Sequence, residues 1–408
     1  MSHPVRTTRR AHLLAIAAAA TSALLPGVSQ AQKKYDPGAS DTEIKIGHTI
    51  PYSGPASAYG AQGKAIAAWF QKVNDEGGVN GRKLKLISMD DAYNPAKTVE
   101  AVRKLVEQDE VLFIGGALGT PQNAAIQKYL NAKKVPQLFV SSGASRWNDP
   151  KNFPYTMGIV PSYHTEGSIY AEHILKNKPG AKIAVLFQND DFGKDYLKGF
   201  LDGLGDKAKT MVVGQQSYEV TDPTVDSQLV SLKATGADTF FNITTPKFAA
   251  QAIRKLPELG WKPVHYLASV SGAVSSTLKP AGLENSIGII TCTYLRDPAD
   301  LEQANTPEVA AFTAWMKKYN PGADPTDMLY VSGQVIAQAM VEVLKKAGDN
   351  LTRENIMKVA ASLDTALPMQ YPGVNLKTSA DDFAPVERMR PQRFNGTRYE
   401  TFGPVMGR

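Results

Sequence analysis

Residues 111–145 read VLFIGGALGTPQNAAIQKYLNAKKVPQLFVSSGAS. Val111–Ile114 is a short aliphatic run of the strand type, followed by a glycine-rich loop. Thr120–Ala132 carries a helical pattern with proline at its second position, and Val135–Val140 turns apolar again before the polar loop Ser141–Ser145. Two short buried strands joined through a helix lie parallel, because a hairpin has no room for the helix and a right-handed crossover returns the chain to the same end of the sheet. This stretch sets the class as α/β.

The same alternation runs outward from it. Upstream, Glu43–Ile50 predicts a strand, Tyr59–Asn74 a helix with Ala61, Ala65, Ala68, Trp69 and Val73 on one face, Leu84–Met89 a strand and Pro95–Gln108 a helix. Downstream a second series begins at Tyr163: a helix to Asn177, then strands at Lys182–Phe187, Thr210–Tyr218, Asp238–Asn242 and His265–Ala268. Helices at Phe192–Leu204, Val225–Thr235 and Lys247–Leu259 separate them. Gly288–Thr293 follows as a strand, then helices near Pro307–Tyr319, Leu329–Ala347 and Arg353–Ala361, then a tail whose strands would complete the sheets. Two doubly wound parallel sheets, each covered on both faces, are expected.

With 43% hydrophobic and 21% charged residues in 408, the chain is globular and long enough for two domains. Of the formal +6, three charges are Arg6, Arg9 and Arg10; beyond residue 31 there remain 42 basic and 39 acidic groups. That balance is too even for a nucleic-acid surface. Residues 1–31 read as a secretory signal, with a basic start, an apolar Ala11–Leu25 too short to span a bilayer, and Ser29-Gln30-Ala31 for cleavage after Ala31. Arg9-Arg10 leaves the twin-arginine and the general route both open. Cys292 is the only cysteine, which excludes an internal disulfide and a cysteine-rich zinc site.

The templates for bound metal, phosphate and nucleophilic serine are absent, so no catalytic residue, metal ligand or cofactor is expected. His48, His164, His173 and His265 are dispersed, and a satisfied or partly exposed ring is expected of each. Asp90-Asp91 and Asp190-Asp191 follow strands and are read as caps of the next helix in preference to an acid–base pair. The loops Gly115–Thr120 and Ser141–Ser145 each offer glycine and hydroxyls at a strand end, either as a cradle for a carboxylate or as helix caps.

The run Ile46-Gly47-His48-Thr49-Ile50-Pro51-Tyr52-Ser53-Gly54-Pro55 with Tyr59-Gly60, then Gly77-Gly78-Val79-Asn80-Gly81-Arg82, resembles the opening of the periplasmic solute-binding proteins of the branched-chain amino acid type. Asp90-Asp91-Ala92-Tyr93-Asn94-Pro95, Ser142–Ser145, Asp190-Asp191-Phe192-Gly193-Lys194 and Tyr330–Ala339 continue the match in family order. The resemblance implies a type I periplasmic binding protein fold: two lobes, 32–158 with 295–368 and 159–294 with 369–408, joined by a three-strand hinge. It implies a monomer in the periplasm that closes over a ligand and hands it to an ABC permease with its ATPase, both separate chains. A sensing module or an exported hydrolase are the alternatives from other classes.

Carried over residue by residue, the resemblance places Tyr59 beside the ligand, Gly119, Thr120, Gly143, Ala144 and Ser145 in the loops that hold its carboxylate, and Phe192 as a closing ring from the second lobe, with Leu118 and Tyr163 also expected at the ligand. Thr245, Ser269, Val270, Ser271 and Tyr294 complete the set from the second lobe and the hinge. Amino-acid-binding members put a glutamate about where Val270 stands, and no acidic residue occurs from Lys262 to Lys279. Leaving an ammonium without a counter-charge would cost several kcal/mol. Residues 145–158 resemble the branch that takes aromatic or other hydrophobic carboxylates, so an aromatic acid of the hydroxycinnamate or benzoate type is expected, with a branched-chain amino acid or amide as the alternative.

Overall fold

The computed structural model describes residues 1–2 and 33–407. The leader read at 1–31 thus lies outside the described residues, apart from the first two. Eight elements open the fold: β1 (Glu43–Ile50), α1 (Gly60–Asp75), β2 (Lys83–Asp90), α2 (Pro95–Glu107), β3 (Phe113–Gly115), α3 (Thr120–Ala132), β4 (Gln137–Val140) and β5 (Thr156–Gly158). Their strands form an all-parallel sheet in the order β2-β1-β3-β4-β5. Ile44, Ile46, Phe113, Leu138 and Val140 are fully buried, as a sheet with helices on both faces requires.

The second sheet repeats the plan. After α4 (Tyr163–Asn177) come β6 (Ile183–Gln188), α5 (Asp191–Leu204), β7 (Val212–Tyr218), α6 (Asp226–Ala234), β8 (Thr239–Ile243), α7 (Pro246–Glu258), β9 (Val264–Leu267) and β10 (Ile290–Thr293). The chain then forms α8 (Pro307–Tyr319), α9 (Met328–Ala347) and α10 (Arg353–Ala360), whose apolar side chains join the core of the first sheet. It returns as β11 (Arg388–Phe394), β12 (Tyr399–Thr401) and β13 (Met406–Gly407). The second order is β12-β11-β10-β9-β8-β6-β7, with β13 also on β11. Strands β7-β6-β8-β9-β10 thus repeat the 2-1-3-4-5 order of the first sheet, and both have a switch point where the order reverses. As expected, strands from the tail complete the second sheet, and they do so antiparallel: β11 pairs antiparallel with β10, and β12 and β13 antiparallel with β11. Strands β12 and β13 follow β11 through short turns that allow no crossover helix, whereas β11 reaches β10 after the long excursion through α8–α10.

Both sheets belong to one compact unit beginning at Lys34. The chain passes between them after β5, after β10 and before β11. Beside the crossing after β10, Arg296 N–H donates to Met369 O at 2.9 Å and Tyr371 N–H to Tyr294 O at 2.9 Å. Helix ends are set by side chains: Asn94 Oδ1 accepts from Ala96 and Lys97 N–H at the start of α2, and Asp190 Oδ1 from Phe192 and Gly193 N–H at α5. Asp190 is therefore the cap expected, whereas the Asp90-Asp91 pair is not. Asp90 collects the N–H groups of Tyr52, Ser53 and Ala92, and Asp91 those of Tyr93 N–H and the Thr98 hydroxyl.

Candidate functional site

In open α/β sheets the loops at the strand carboxyl ends, next to the switch point, are where ligands bind. Here those loops from both sheets face one cavity of about 110 Å³, several times the roughly 10–15 Å³ a single water needs. Its walls carry the rings of Tyr59, Tyr93, Tyr163, Phe192, Tyr294 and Tyr399. Among the described residues, no Asp, Glu, Lys, Arg or His lines it. Burial keeps the phenols protonated, raising Tyr59 and Tyr163 well above their ordinary value and Tyr294 to about 12.

The first sheet supplies Tyr59 at the start of α1 and Leu118, Gly119 and Thr120 at the start of α3. Gly119 has φ 101°, a backbone that only glycine takes readily, and a Cβ there would meet Gln122 Oε1 at 2.1 Å. Thr120 does not cap α3: its hydroxyl shares a 2.7 Å hydrogen bond with the Ser142 hydroxyl, leaving the first-turn N–H groups without a side-chain partner. Tyr163 and Phe192, from α4 and α5, pack edge to face with centroids 5.3 Å apart, and Tyr163 stacks on Tyr196 at 4.4 Å. Such pairs hold the rings in place before any ligand arrives.

Ser269 and Val270 line the cavity from the turn after β9, with Thr245 from the end of β8 and Tyr294 from the crossing after β10. The Tyr59 hydroxyl donates to Val270 O at 3.1 Å, joining the two sheets at the position where the resemblance sets a glutamate. A carboxylate does stand behind this turn. Glu166 on α4 is 1% exposed, and its oxygens accept from Tyr170 and Tyr196 hydroxyls at 2.6 and 2.8 Å and from Ser269 N–H and hydroxyl at 2.8 and 2.6 Å. Burial pushes its pKa up, while the donors from Ser269, Tyr170 and Tyr196 pull it back down. With four donors on two oxygens, Glu166 fixes the Ser269 turn and has little capacity left for a ligand ammonium.

Four of the carried-over residues do not line the cavity: Gly143, Ala144, Ser145 and Ser271. Ser145 N–H and hydroxyl both donate to Asp195 Oδ2, at 2.9 and 3.0 Å, so a carboxylate of the protein occupies the donors expected for the ligand. Arg146 pairs with Asp191 at 2.8 Å beside it. Gly143 sits under the crossing, where a Cβ would meet Pro161 O at 2.1 Å. Ala144 is buried in the core of the second sheet, and the Ser271 hydroxyl is turned to Thr244 O.

Lining residues that the sequence did not announce include Gln62, Tyr93, Met328, Ser332, Gln392 and Tyr399, and the lone Cys292 also reaches the wall. Two had a signal: Tyr93 and Ser332 lie inside the family runs at 90–95 and 330–339. Gln392 and Tyr399 come from the C-terminal strands, where nothing marked them. Of the histidines, His48 and His265 are buried and held neutral, their pKa lowered to about 4 and about 3 by burial. His48 Nε2 has no protein partner, so that ring is less satisfied than expected. Among the described residues no group of three or more acidic, histidine or cysteine side chains could hold a metal ion, and no helix is long and apolar enough to cross a membrane.

A family model described as periplasmic binding protein matches residues 43–398. A Leu/Ile/Val-binding protein homolog 1 of Brucella abortus is 28% identical over 342 residues, covering 81% of this chain and 86% of that protein. A branched-chain amino acid ABC transporter structure from Thermus thermophilus with bound valine superposes with a TM-score of 0.80 at 18% identity, covering 90% of this chain and 97% of the other. An R. palustris ABC transporter solute-binding protein in complex with benzoate gives 0.76 at 20% identity, covering 90% and 98%. The chain belongs to the periplasmic binding protein family and has the type I fold; the relatives it is similar to are named as Leu/Ile/Val-binding proteins, not as enzymes.

Proposed function

We propose that this type I periplasmic binding protein carries a small aromatic carboxylate, of the hydroxycinnamate or benzoate type, to an ABC importer. The observation that supports it is the cavity wall: six aromatic rings and no ionised side chain. An α-amino acid brings an ammonium that needs a counter-charge, and here Val270 presents a carbonyl already bonded to Tyr59 while Glu166 is saturated behind it. An aromatic acid brings a ring, worth about 0.5–1.5 kcal/mol per aromatic contact beyond burial, and a carboxylate that suits the start of α3 beside Thr120.

In this reading the two sheets are the cores of two lobes, read in the sequence as 32–158 with 295–368 and 159–294 with 369–408, which close about the three crossings; the last boundary moves to about 387, because Met369, Val374, Leu376, Phe383 and Val386 pack in the core of the first sheet. The protein is exported as a monomer with its leader cleaved after Ala31, and its closed form docks on a permease served by a separate ATPase. The names of the Leu/Ile/Val-binding relatives and the valine-bound neighbour favour a second reading, a branched-chain amino acid. Calorimetric titration with p-coumarate, benzoate and leucine separates the two. Micromolar or tighter binding of an aromatic acid is expected, with leucine at least a hundredfold weaker; tight leucine binding without an aromatic response reverses the order.

A further inference from the structure

Behind the cavity wall lies a carboxylate that the core of the second sheet does not require. Glu166 is 1% exposed, on a helix whose other buried residues include Tyr163, Ile169, Tyr170, Ala171 and Ile174. Taking a carboxylate out of water is expensive, and apolar side chains of similar volume often serve a core as well or better. The four groups that donate to Glu166 are all neutral: the Tyr170 and Tyr196 hydroxyls, and the N–H and hydroxyl of Ser269. No cation offsets its burial through those bonds, yet a fully satisfied network holds every member in one arrangement. What Glu166 holds is the part of the wall that meets Tyr59.

Ser269 opens the tight turn Ser269–Ser271 after β9, and Glu166 pins it at two points, through its N–H at 2.8 Å and its hydroxyl at 2.6 Å. Within the turn, Ser271 N–H donates to Ala268 O and Gly272 N–H to Ser269 O, at 2.9 and 3.0 Å. The Val270 carbonyl is taken instead by the Tyr59 hydroxyl, which reaches it from the first sheet's side at 3.1 Å. The same carboxylate accepts from Tyr196, on which Tyr163 stacks with centroids 4.4 Å apart, and Tyr163 in turn meets Phe192 edge to face. One buried group thus sets both the turn and the ring pair that the second sheet's side brings to the cavity.

We propose that Glu166 is a positioning residue for ligand capture: by fixing Ser269 it presents the Val270 carbonyl to Tyr59, a contact made when the two lobes close, and so sets affinity without touching the ligand. This assignment rests on the closing, solute-binding reading above and adds the residue that prepares one side of the closing contact, whichever acid is bound. The full mature protein is titrated with p-coumarate, benzoate and leucine, and the tightest binder of the three serves as the probe. Tyr59→Phe and Glu166→Ala are each expected to weaken it tenfold or more. The double variant should bind within threefold of the weaker single one, because a turn released by E166A no longer meets Tyr59, whereas independent losses would multiply to a hundredfold or more. Where E166A does not fold, Ser269→Ala takes its place in the same cycle with the same expectation. Glu166→Gln keeps the shape, an acceptor for the Ser269 N–H and an amide from which the hydroxyls can accept, and should bind within threefold of the parent. Losses that multiply in the double variant, or an E166Q as weak as E166A, would overturn the proposal and leave the solute-binding reading intact. Failure of the parent protein to bind any of the three would overturn that reading and the proposal with it.

Discussion

Two loops that look alike in sequence do different things in this molecule. Leu118-Gly119-Thr120 follows β3 and Gly143-Ala144-Ser145 follows β4; each brings glycine and a hydroxyl to a strand end. The first opens into the cavity, and the second is closed off, its donors held by Asp195 and its glycine pressed against Pro161. A loop's residue types state which bonds it can make. Which bonds it makes depends on what the rest of the chain places opposite, here a helix that begins some 50 residues later.

The largest effects should come from the two glycines, and they should differ in kind. In Gly143→Ala the new Cβ meets a backbone carbonyl that cannot swing aside, at the crossing itself, and the cost should be about 1–3 kcal/mol of stability with a clear fall in melting temperature. In Gly119→Ala the nearest atom is the end of the Gln122 side chain, which can move, but φ 101° is strained for alanine and the displaced backbone belongs to the cavity. G119A should therefore lose ligand affinity by tenfold or more with a smaller loss of melting temperature. If both variants lost affinity in proportion to stability, the two loops would share one role.

The hydroxyls come next. Thr120→Val keeps the shape and removes the group beside the α3 N–H donors, and should weaken binding of an aromatic acid about tenfold, near the upper end of what one neutral hydrogen bond contributes. Ser145→Ala should leave affinity within threefold, since its hydroxyl is spent on Asp195. Titration of both variants with the same acid decides it. A large loss in S145A would mean that Asp195 yields to the ligand and that the two loops form one cradle after all.

How far the sequence carries is visible in the same residues. The strand and helix alternation places nearly every long element within two residues of its position, because apolar periodicity is local and the buried sheets demand it: Thr120–Ala132, Tyr163–Asn177 and Pro307–Tyr319 come out as read. Thr156–Gly158 escapes because three residues are too few to show a period, and the antiparallel edge because pairing is a property of the partner strand. In the site, Tyr59, Thr120, Tyr163, Phe192 and Val270 reach the cavity wall. Ser145 does not, since Asp195 is invisible from its neighbourhood, and Tyr399 was unmarked because a lone tyrosine in a tail carries no pattern.

The smallest effect is the sharpest test of the contrast, since it asks whether the second loop serves an internal carboxylate. Asp195 is half-buried, and burial raises its pKa above the ordinary 3.8, while the Ser145 N–H and hydroxyl pull it back down. A folded-state pKa raised above the unfolded value means that stability falls as pH rises from about 3.8 through the folded value, because ionising the group costs more in the folded chain. Ser145→Ala removes one of the two bonds that offset that cost, so the fall becomes steeper. The stability gap between the parent protein and S145A should be small at pH values below the ordinary 3.8, where Asp195 takes up its proton, and should widen to about 1 kcal/mol by pH 7. Melting temperatures of the two proteins across that range, without ligand, measure it. A gap that stays constant with pH would mean the Ser145 hydroxyl stabilises the fold without regard to the Asp195 charge, and the second loop would lose its assigned partner.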